Sequence, residues 1–531
     1  MNNLISKQKS EGQVFTPPEI VKLILDTVDY KGTKILTQTV IEPSFGEGAF
    51  LTEIVLRIIK AGIHSNIPCH EISSILNNNV YGIEKDDVLY KKAITSLNDL
   101  LNKYHIPIPE WKHLLCGDTL LLYKQFEGKM SYCIGNPPYV RIHNINDNYT
   151  DLVKSFSFTG GTTDLYIVFY EIGLKLLNDN GKLIYITPNS FMRNSSQKDF
   201  RAYLIDNHLL TALYDFKSSQ LFSATTYSCI CLLSKACALF VDYKEFDMLT
   251  PKITNTIDYS FLESQTKGFS WNFGAKEDMD LFRNNLTCCK KLNDIAVIQN
   301  AITTNRDKVY IGKAYMDKDC TIPYLGKHTD SNQMVWFNGH EIESAILHRC
   351  IKASKCHVGI TNLYILFPYH PRTNNQQPEF NYIPYEEQEL MTCFPKAYQY
   401  LLSYKETLLE RDMDVAQKYW YVFGRSQGLK NSGLKKIVFK HIISTESNTI
   451  KTYWLDEDVV VYTGIYISAP VNFTADNIFD GSKYEHDLKH IQKILEQPEF
   501  SSYCKLVGQP KQGNYIAITS PMVKNFGLRC D

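Results

Sequence analysis

Over residues 1–235, short apolar runs alternate with segments of helical periodicity. The apolar runs near 39–42, 80–84, 113–116, 131–134, 182–187, 211–216 and 227–233 are too short for helices, which predicts strands. Between most of them lie amphipathic stretches such as FLTEIVLRIIKAG (50–62) and DLYIVFYEIGLKLL (164–177). This alternation predicts an α/β sheet covered by helices. The last two runs are joined by KSSQLFSATT (217–226), with no helical pattern, so the final strand is expected to run antiparallel. After about residue 240 the alternation fades, and FSWNFGAKEDMDLF (269–282) reads as a junction leading into a helix. The pattern predicts an α/β domain over 1–240, a junction over 241–270 and an α+β domain over 271–531.

Composition adds limits. At 531 residues the chain exceeds a single typical core. Hydrophobic residues make up 44% and charged residues 21%, which places it among globular chains. The formal net charge of −1 gives no global basic excess, although segregated charge could still serve a nucleic-acid partner. The N-terminus MNNLISKQKSEGQVF has no signal-peptide core, and YSCICLLSKACALFV (227–241) is interrupted by Ser228, Ser234 and Lys235. A cytoplasmic monomer with no membrane span is expected. Fourteen cysteines occur without a CxxC pair. His348, Cys350, Cys356 and His357 match no common zinc spacing, so no metal is expected, and the thiols are expected to be free and mostly buried.

Candidate chemistry clusters at predicted strand ends. In VFTPPEIVKLIL (14–25), Thr16 can cap a helix, Pro17 suits its first position and Glu19 completes a capping box, so an ordinary helix start explains this stretch. In TVIEPSFGEGAFLTEI (39–54), a strand ending at Glu42 is followed by Pro43, a turn with Gly46 and Gly48, and a helix. Such a loop lets a ligand approach the backbone, although a structural turn reads the same way. Its spacing is neither G-x-G-x-x-G nor a Walker loop. The acid at its mouth suits a cationic ligand better than a pyrophosphate. Glu84 in YGIEKDD and Asp118 in CGDTL end the next two runs. A carboxylate there can accept ribose hydroxyls or an exocyclic amine.

The stretch YCIGNPPYVR (132–141) places Asn136, Pro137, Pro138 and Tyr139 after the fourth run. The prolines fix the backbone and leave only carbonyl acceptors. Two rigid carbonyls beside an aromatic plate suit a planar group bearing an NH₂; the plain alternative is a stiff turn with a packed tyrosine.

Taken in order, these motifs resemble the gamma-class N6-adenine DNA methyltransferases, the group typified by the TaqI and Eco57I methylases. GQVFTPPEIV resembles their N-terminal motif, EPSFGEGAFL their S-adenosylmethionine loop, YGIEKDD their ribose acid and CGDTL their adenine-edge acid. GNPPYV resembles the catalytic motif, DLYIVFYEIGLKLLNDNGKLIYITPNSF the following helix and strand, and SQLFSATTYSCICLL a late motif carrying a base-stacking phenylalanine. The resemblance covers roughly the first 235 residues. AYQYLLSYKETLLERD with WYVFGRSQGL resembles, more loosely, a segment of the target-recognition domains of this class.

The resemblance implies a seven-stranded, Rossmann-like methyltransferase sheet with a C-terminal α+β target-recognition domain. It implies S-adenosylmethionine as donor, held by Thr16, Pro17, Glu42, Pro43, the Gly46–Gly48 loop, Glu84, Asp118, Thr119, Asn136 and Phe169. Asn136, Pro137, Pro138, Tyr139 and Phe222 would hold a flipped adenine. In GRSQGLKNSGLKKIVFKH (424–441), Arg425, Lys430, Lys435, Lys436 and Lys440, with His441, suit phosphate contacts to double-stranded DNA, or else form a solvated charged face. Arg425 is the leading candidate for a DNA contact. The alternatives are an RNA adenine-N6 methyltransferase, a protein-glutamine methyltransferase and a non-enzymatic DNA-binding relic. The motifs begin by residue 12 and no Pro-Asp dipeptide occurs, so a fused nuclease is not expected. A solitary methylase, or the modification half of a pair with a separate restriction endonuclease, is.

Overall fold

The computed structural model describes residues 16–141, 147–158, 164–217, 227–247, 249–266, 270–330, 332–359, 361–374, 377–414, 417–473, 479–511 and 513–529. The chain divides into two compact units, residues 1–279 and 280–531.

The first unit is built on one mixed sheet. Its strands are β1 (Val40–Glu42), β2 (Val80–Glu84), β3 (Leu114–Cys116), β4 (Met130–Gly135), β5 (Leu177–Pro188), β6 (Leu210–Asp215), β7 (Ser228–Ser234), β8 (Phe240–Asp247) and β9 (Thr250–Asp258). They lie in the order β3-β2-β1-β4-β5-β7-β6-β8-β9. β3 through β5 in this order pair in parallel, and β7 runs antiparallel between β5 and β6. The helices are α1 (Pro18–Thr27), α2 (Ala49–His64), α3 (Cys69–Asn79), α4 (Asp87–Lys103), α5 (Thr119–Leu122), α6 (Asp147–Lys154), α7 (Leu165–Leu176), α8 (Lys198–Asp206) and α9 (Tyr259–Thr266).

All of β1 and β7 is buried, which is why each reads as a continuous apolar run and not as an alternation. α2 buries Phe50, Leu51, Ile54, Val55, Ile58 and Ile59, one stripe at helical spacing. Asp86 caps α4, accepting from Val88 N at 2.8 Å and Leu89 N at 3.2 Å.

Three expectations are corrected here. The sheet has nine strands, not seven: β8 pairs in parallel with β6, and β9 is antiparallel to β8. Residues 241–270, expected as a junction, supply β8, β9 and α9 inside the first unit. Thr16 does not cap α1; Pro17 occupies the N-cap with Pro18 inside the first turn, so the missing N–H groups fall where no helical partner exists.

The second unit mixes small sheets and helices. One four-stranded sheet joins Val297–Asn300, Ile465–Ser468, Lys436–Phe439 and Thr452–Leu455. Another joins Ile311–Gly312, Tyr364–Leu366, Leu347–Lys352 and Val459–Tyr462. A core rich in aromatic rings, with Tyr310, Tyr364, Trp420 and Phe423 among them, packs beside the second sheet.

Among the described residues no helix is long and apolar enough to cross a membrane, and no group of three or more His, Cys, Asp or Glu could hold a metal. The described thiols divide between buried ones, such as Cys133 and Cys350, and exposed ones, such as Cys69 and Cys116, so burial is less general than expected.

Candidate active site

The polar residues predicted at strand ends line up along the carboxyl edge of the sheet. Glu42 ends β1, Glu84 ends the adjacent β2, Asp118 follows β3, and Asn136 follows β4 on the other side of β1. Open α/β sheets place ligands at this edge.

The loop between β1 and α2 carries the two glycines. Gly46 (φ +52°) and Gly48 (φ +83°) are left-handed, a conformation costly for other residues. A Cβ at Gly48 would stand 3.0 Å from Ala93 Cβ on α4, whereas one at Gly46 would meet nothing within 4 Å. The loop is thus seated on α4 at one glycine and open at the other. Gly46 N donates to Glu84 Oε2 at 2.8 Å, and Asp86 N donates to Oε1 at 2.8 Å. Burial raises the Glu84 pKa, and the N–H donors work against that rise.

Glu42 is only 2% exposed. Its Oε2 accepts from Leu51 N in the first turn of α2 at 3.2 Å. Burial pushes its carboxyl well above the usual carboxylate range, with the neighbouring Glu84 charge adding to the rise. A Cβ at Gly135 would come within 3.3 Å of Glu42 Cγ, so a glycine lets β4 pass the carboxylate. A buried acid beside a second acid and an open left-handed glycine fits a ligand bearing a positive charge and hydroxyls.

Asp118 caps α5 through Leu120 N at 3.0 Å, and its other oxygen accepts from Lys85 Nζ at 2.8 Å. Thr119, 5% exposed, donates its hydroxyl to the Pro43 carbonyl and ties this turn to the glycine loop. Phe169 is buried on α7.

The Asn-Pro-Pro-Tyr turn is braced from three directions. Asn136 Nδ2 donates to Thr16 Oγ1 at 3.0 Å, which brings the first sequence motif to the fourth strand. Ser44 Oγ donates to the Asn136 backbone carbonyl at 3.4 Å. The Tyr139 hydroxyl donates to the Ile186 carbonyl on β5 at 3.1 Å, and its ring meets Tyr166 edge-on at 6.3 Å. Burial raises the Tyr139 pKa well above its ordinary value, so the hydroxyl stays a donor. The ring plane is fixed at its far end. Phe222 lies outside the described residues.

Sequence reasoning missed three contributors. Ser44 is one. Asn189 and Asp215 are the others: Asn189, just after β5, donates from Nδ2 to Asp215 Oδ1 at the end of β6 at 2.9 Å. For Asn189 and Asp215 the signal was the one that found Glu84 and Asp118, a polar residue at the end of an apolar run; Ser44 carried no such signal.

In the second unit the basic cluster does not present one face. Lys430 and Lys440 are exposed. Lys435 pairs with Glu485 at 2.5 Å, and Arg425 pairs with Asp412. Lys436 is fully buried and donates to the Val459 and Asp456 carbonyls at 2.8 and 3.2 Å. It cannot contact phosphate, which corrects its expected place in a DNA-binding set. Burial also holds the His441 pKa below its ordinary value, with nearby Lys352 adding to the effect.

Residues 47–222 match the Eco57I restriction-modification methylase family. The chain is 27% identical over 382 residues to the type II methyltransferase M.BstVI of Geobacillus stearothermophilus, covering 63% of this chain and 66% of that protein. It is 24% identical over 422 residues to the restriction enzyme and methyltransferase RM.Eco57I of Escherichia coli, covering 72% of this chain and 38% of that one. With the methyltransferase M.BanIII of Aneurinibacillus aneurinilyticus it shares 24% over 529 residues, covering 88% and 82%. The fold resembles that of the type IIL restriction-modification enzyme MmeI solved in complex with DNA, with a TM-score of 0.58 at 12% identity, covering 96% of this chain and 65% of that one.

Proposed function

We propose, from the match of residues 47–222 to the Eco57I restriction-modification methylase family, that the chain transfers a methyl group from S-adenosylmethionine to the N6 amine of an adenine in duplex DNA, within a restriction–modification setting. The observation that carries this reading is the Asn136–Tyr139 turn, braced by Thr16 and Ile186 beside the buried Glu42 and Glu84 edge.

S-adenosylmethionine, when bound, supplies an electrophilic methyl group on a cationic sulfonium. Glu42 receives its ammonium, with Thr16, Pro17, Pro43 and the Gly46–Gly48 loop around the methionine end. Glu84 accepts the ribose hydroxyls on its remaining lone pairs, and Asp118, Thr119 and Phe169 hold the adenine end. For Asp118 this means exchanging or sharing its contact with Lys85.

A target adenine inside a duplex is stacked, and extruding it costs a few kcal/mol. Tyr139 and Phe222 offset that cost by stacking, at about 1–3 kcal/mol per base. The Asn136 side-chain carbonyl and the Pro137 carbonyl accept the two N6 hydrogens. Held this way, the nitrogen is drawn toward tetrahedral geometry with its lone pair free of the ring. Catalysis is positioning and electrostatics, with no covalent enzyme intermediate.

Tritiated methyl transfer to duplex DNA, RNA and protein offered in parallel tests the reading. Label is expected in DNA, on N6-methyladenine after digestion; label confined to RNA or protein would reject it. Glu84→Ala is expected to weaken S-adenosylmethionine binding at least about tenfold, the scale of a hydrogen bond to a charged group. Calorimetry with unchanged affinity would remove Glu84 from the ribose role.

A further inference from the structure

In the second unit, a buried guanidinium organises an exposed polar loop cluster. Arg411 is 7% exposed and donates to three carbonyls, those of Leu408 (2.9 Å), Thr304 (2.9 Å) and Trp420 (2.8 Å). It thereby fastens the segment around 304 and the segment around 420 to the one that carries it. On this base, Gly424 N and Arg425 N donate to the Thr304 and Thr303 carbonyls at 3.2 Å each. The Asp414 carboxylate takes Ser426 N and Ser426 Oγ at 2.9 Å. A Cβ at Gly424 would lie 2.4 Å from Asn305 Nδ2, and one at the left-handed Gly428 would lie 2.7 Å from the Asn300 carbonyl oxygen. The backbone is therefore pinned on both sides of Arg425.

From that pinned position the Arg425 guanidinium bonds the carboxylate of Asp412, which is itself 80% exposed. Two residues before Asp412, Glu410 stands 3.5 Å from Arg306 in a similar ion pair. These pairs are poorly suited to phosphate. A phosphate contact draws on the full charge of a cation, and a carboxylate at bonding distance both cancels that charge and repels the phosphate. A base edge makes the opposite demand. Guanine O6 and N7 are neutral acceptors spaced for a guanidinium fork, and what matters is that the fork be aimed. A carboxylate bonded to one edge of the fork aims the other edge.

We propose that Arg425, aimed by Asp412, reads a guanine in the major groove of the target duplex. This deepens the proposed DNA methylation and rests on it. The target sequence then contains a guanine at the position Arg425 reaches, and Asp412 is a positioning residue.

The test uses the full chain expressed in a host lacking adenine methylation, with the methylated motif read by single-molecule sequencing of host DNA. Arg425→Ala is expected to make the motif degenerate at one guanine, with discrimination there falling about 10- to 100-fold. Arg425→Lys keeps the charge without the fork and is expected to lose the same discrimination, while binding non-cognate duplex as the wild type does. Asp412→Ala is expected to loosen the same position and, having lost a negative charge, to bind non-cognate duplex more tightly. Lys430→Ala, which removes an exposed cation suited to phosphate, should lower methylation of all sites evenly and keep the motif intact. The proposal is overturned if Arg425→Ala keeps the motif and slows all sites evenly with a shallower salt dependence, or if Arg425→Lys restores the motif. An active wild type with either result isolates the failure to this proposal; a wild type that leaves host DNA unmodified overturns the proposed function and this inference with it.

Discussion

Asn136→Ala is expected to lower methyl transfer to duplex DNA by about 10²- to 10³-fold in single turnover, the scale on which losing one preorganised polar group acts. Affinity for S-adenosylmethionine is expected to stay within a factor of about three. The asymmetry follows from what the side chain touches. Its Nδ2 is engaged by Thr16 Oγ1, which fixes the amide plane, so the carbonyl oxygen faces away from Thr16. The acids proposed for the cofactor, Glu42 and Glu84, are held independently, by Leu51 N and by Gly46 N and Asp86 N. Removing the amide leaves those contacts standing. Thr16→Val should show a smaller loss in the same direction, because the amide survives but is no longer fixed, and Thr16→Ser should restore it. Calorimetry and quench-flow on the same preparations separate the two effects. Turnover near wild type in Asn136→Ala would remove the amide from the chemistry.

Much of the first unit was legible because its strands are buried on both faces. Continuous apolar runs such as VIE and SCICLLS leave little ambiguity once their length rules out a helix. The residue after each run was then a site candidate with no further information, and Glu42, Glu84, Asp118 and Asn136 share one edge for that reason. β8 and β9 escaped notice because they lie at the sheet's margin. Most of TPKITNTID is exposed or half-buried, so no apolar face marks β9, and β8 buries only Val241, Tyr243 and Phe246 among charged neighbours. Their pairing is set by backbone hydrogen bonds, of β8 to β6 and of β9 to β8, which a pattern of side chains does not report.

The bracing of the site was less legible still. Thr16 and Asn136 are separated by 120 positions, and Tyr139 reaches a carbonyl 47 positions away. The second contact depends on the parallel register of β4 with β5, and neither depends on local spacing. The basic run in the second unit misled in the opposite direction. KKIVF reads as a charged face giving way to a strand, but all four residues of Lys436–Phe439 are buried. Lys435 points to Glu485 while Lys436 points inward, the ordinary alternation of a strand.

Lys436 gives the second large expected effect. Burial pushes its ammonium down from 10.5 to about 7, with the Asp458, Glu457 and Asp456 charges opposing the fall. In the unfolded chain it titrates near its ordinary value of about 10.4. Between about pH 7 and pH 10.4 the unfolded chain therefore binds more protons, and unfolding free energy rises with pH across that window. Below about pH 7 both states carry the proton, and this residue contributes no further slope. The full difference corresponds to about 5 kcal/mol. Lys436→Met keeps the length and removes the charge, at the cost of the ammonium's bonds to the Val459 and Asp456 carbonyls, about 1–3 kcal/mol for each. The expected net result at pH 7 is neutral to about 3 kcal/mol more stable, with a flatter slope from pH 7 to 10. Amide exchange at Ile437 and Val438, in the strand itself, reads this locally. Because Lys436 is enclosed, duplex affinity and its salt dependence should not change. A variant several kcal/mol less stable, or one whose salt slope falls by about one phosphate contact, would mean that the ammonium is charged and reaches solvent.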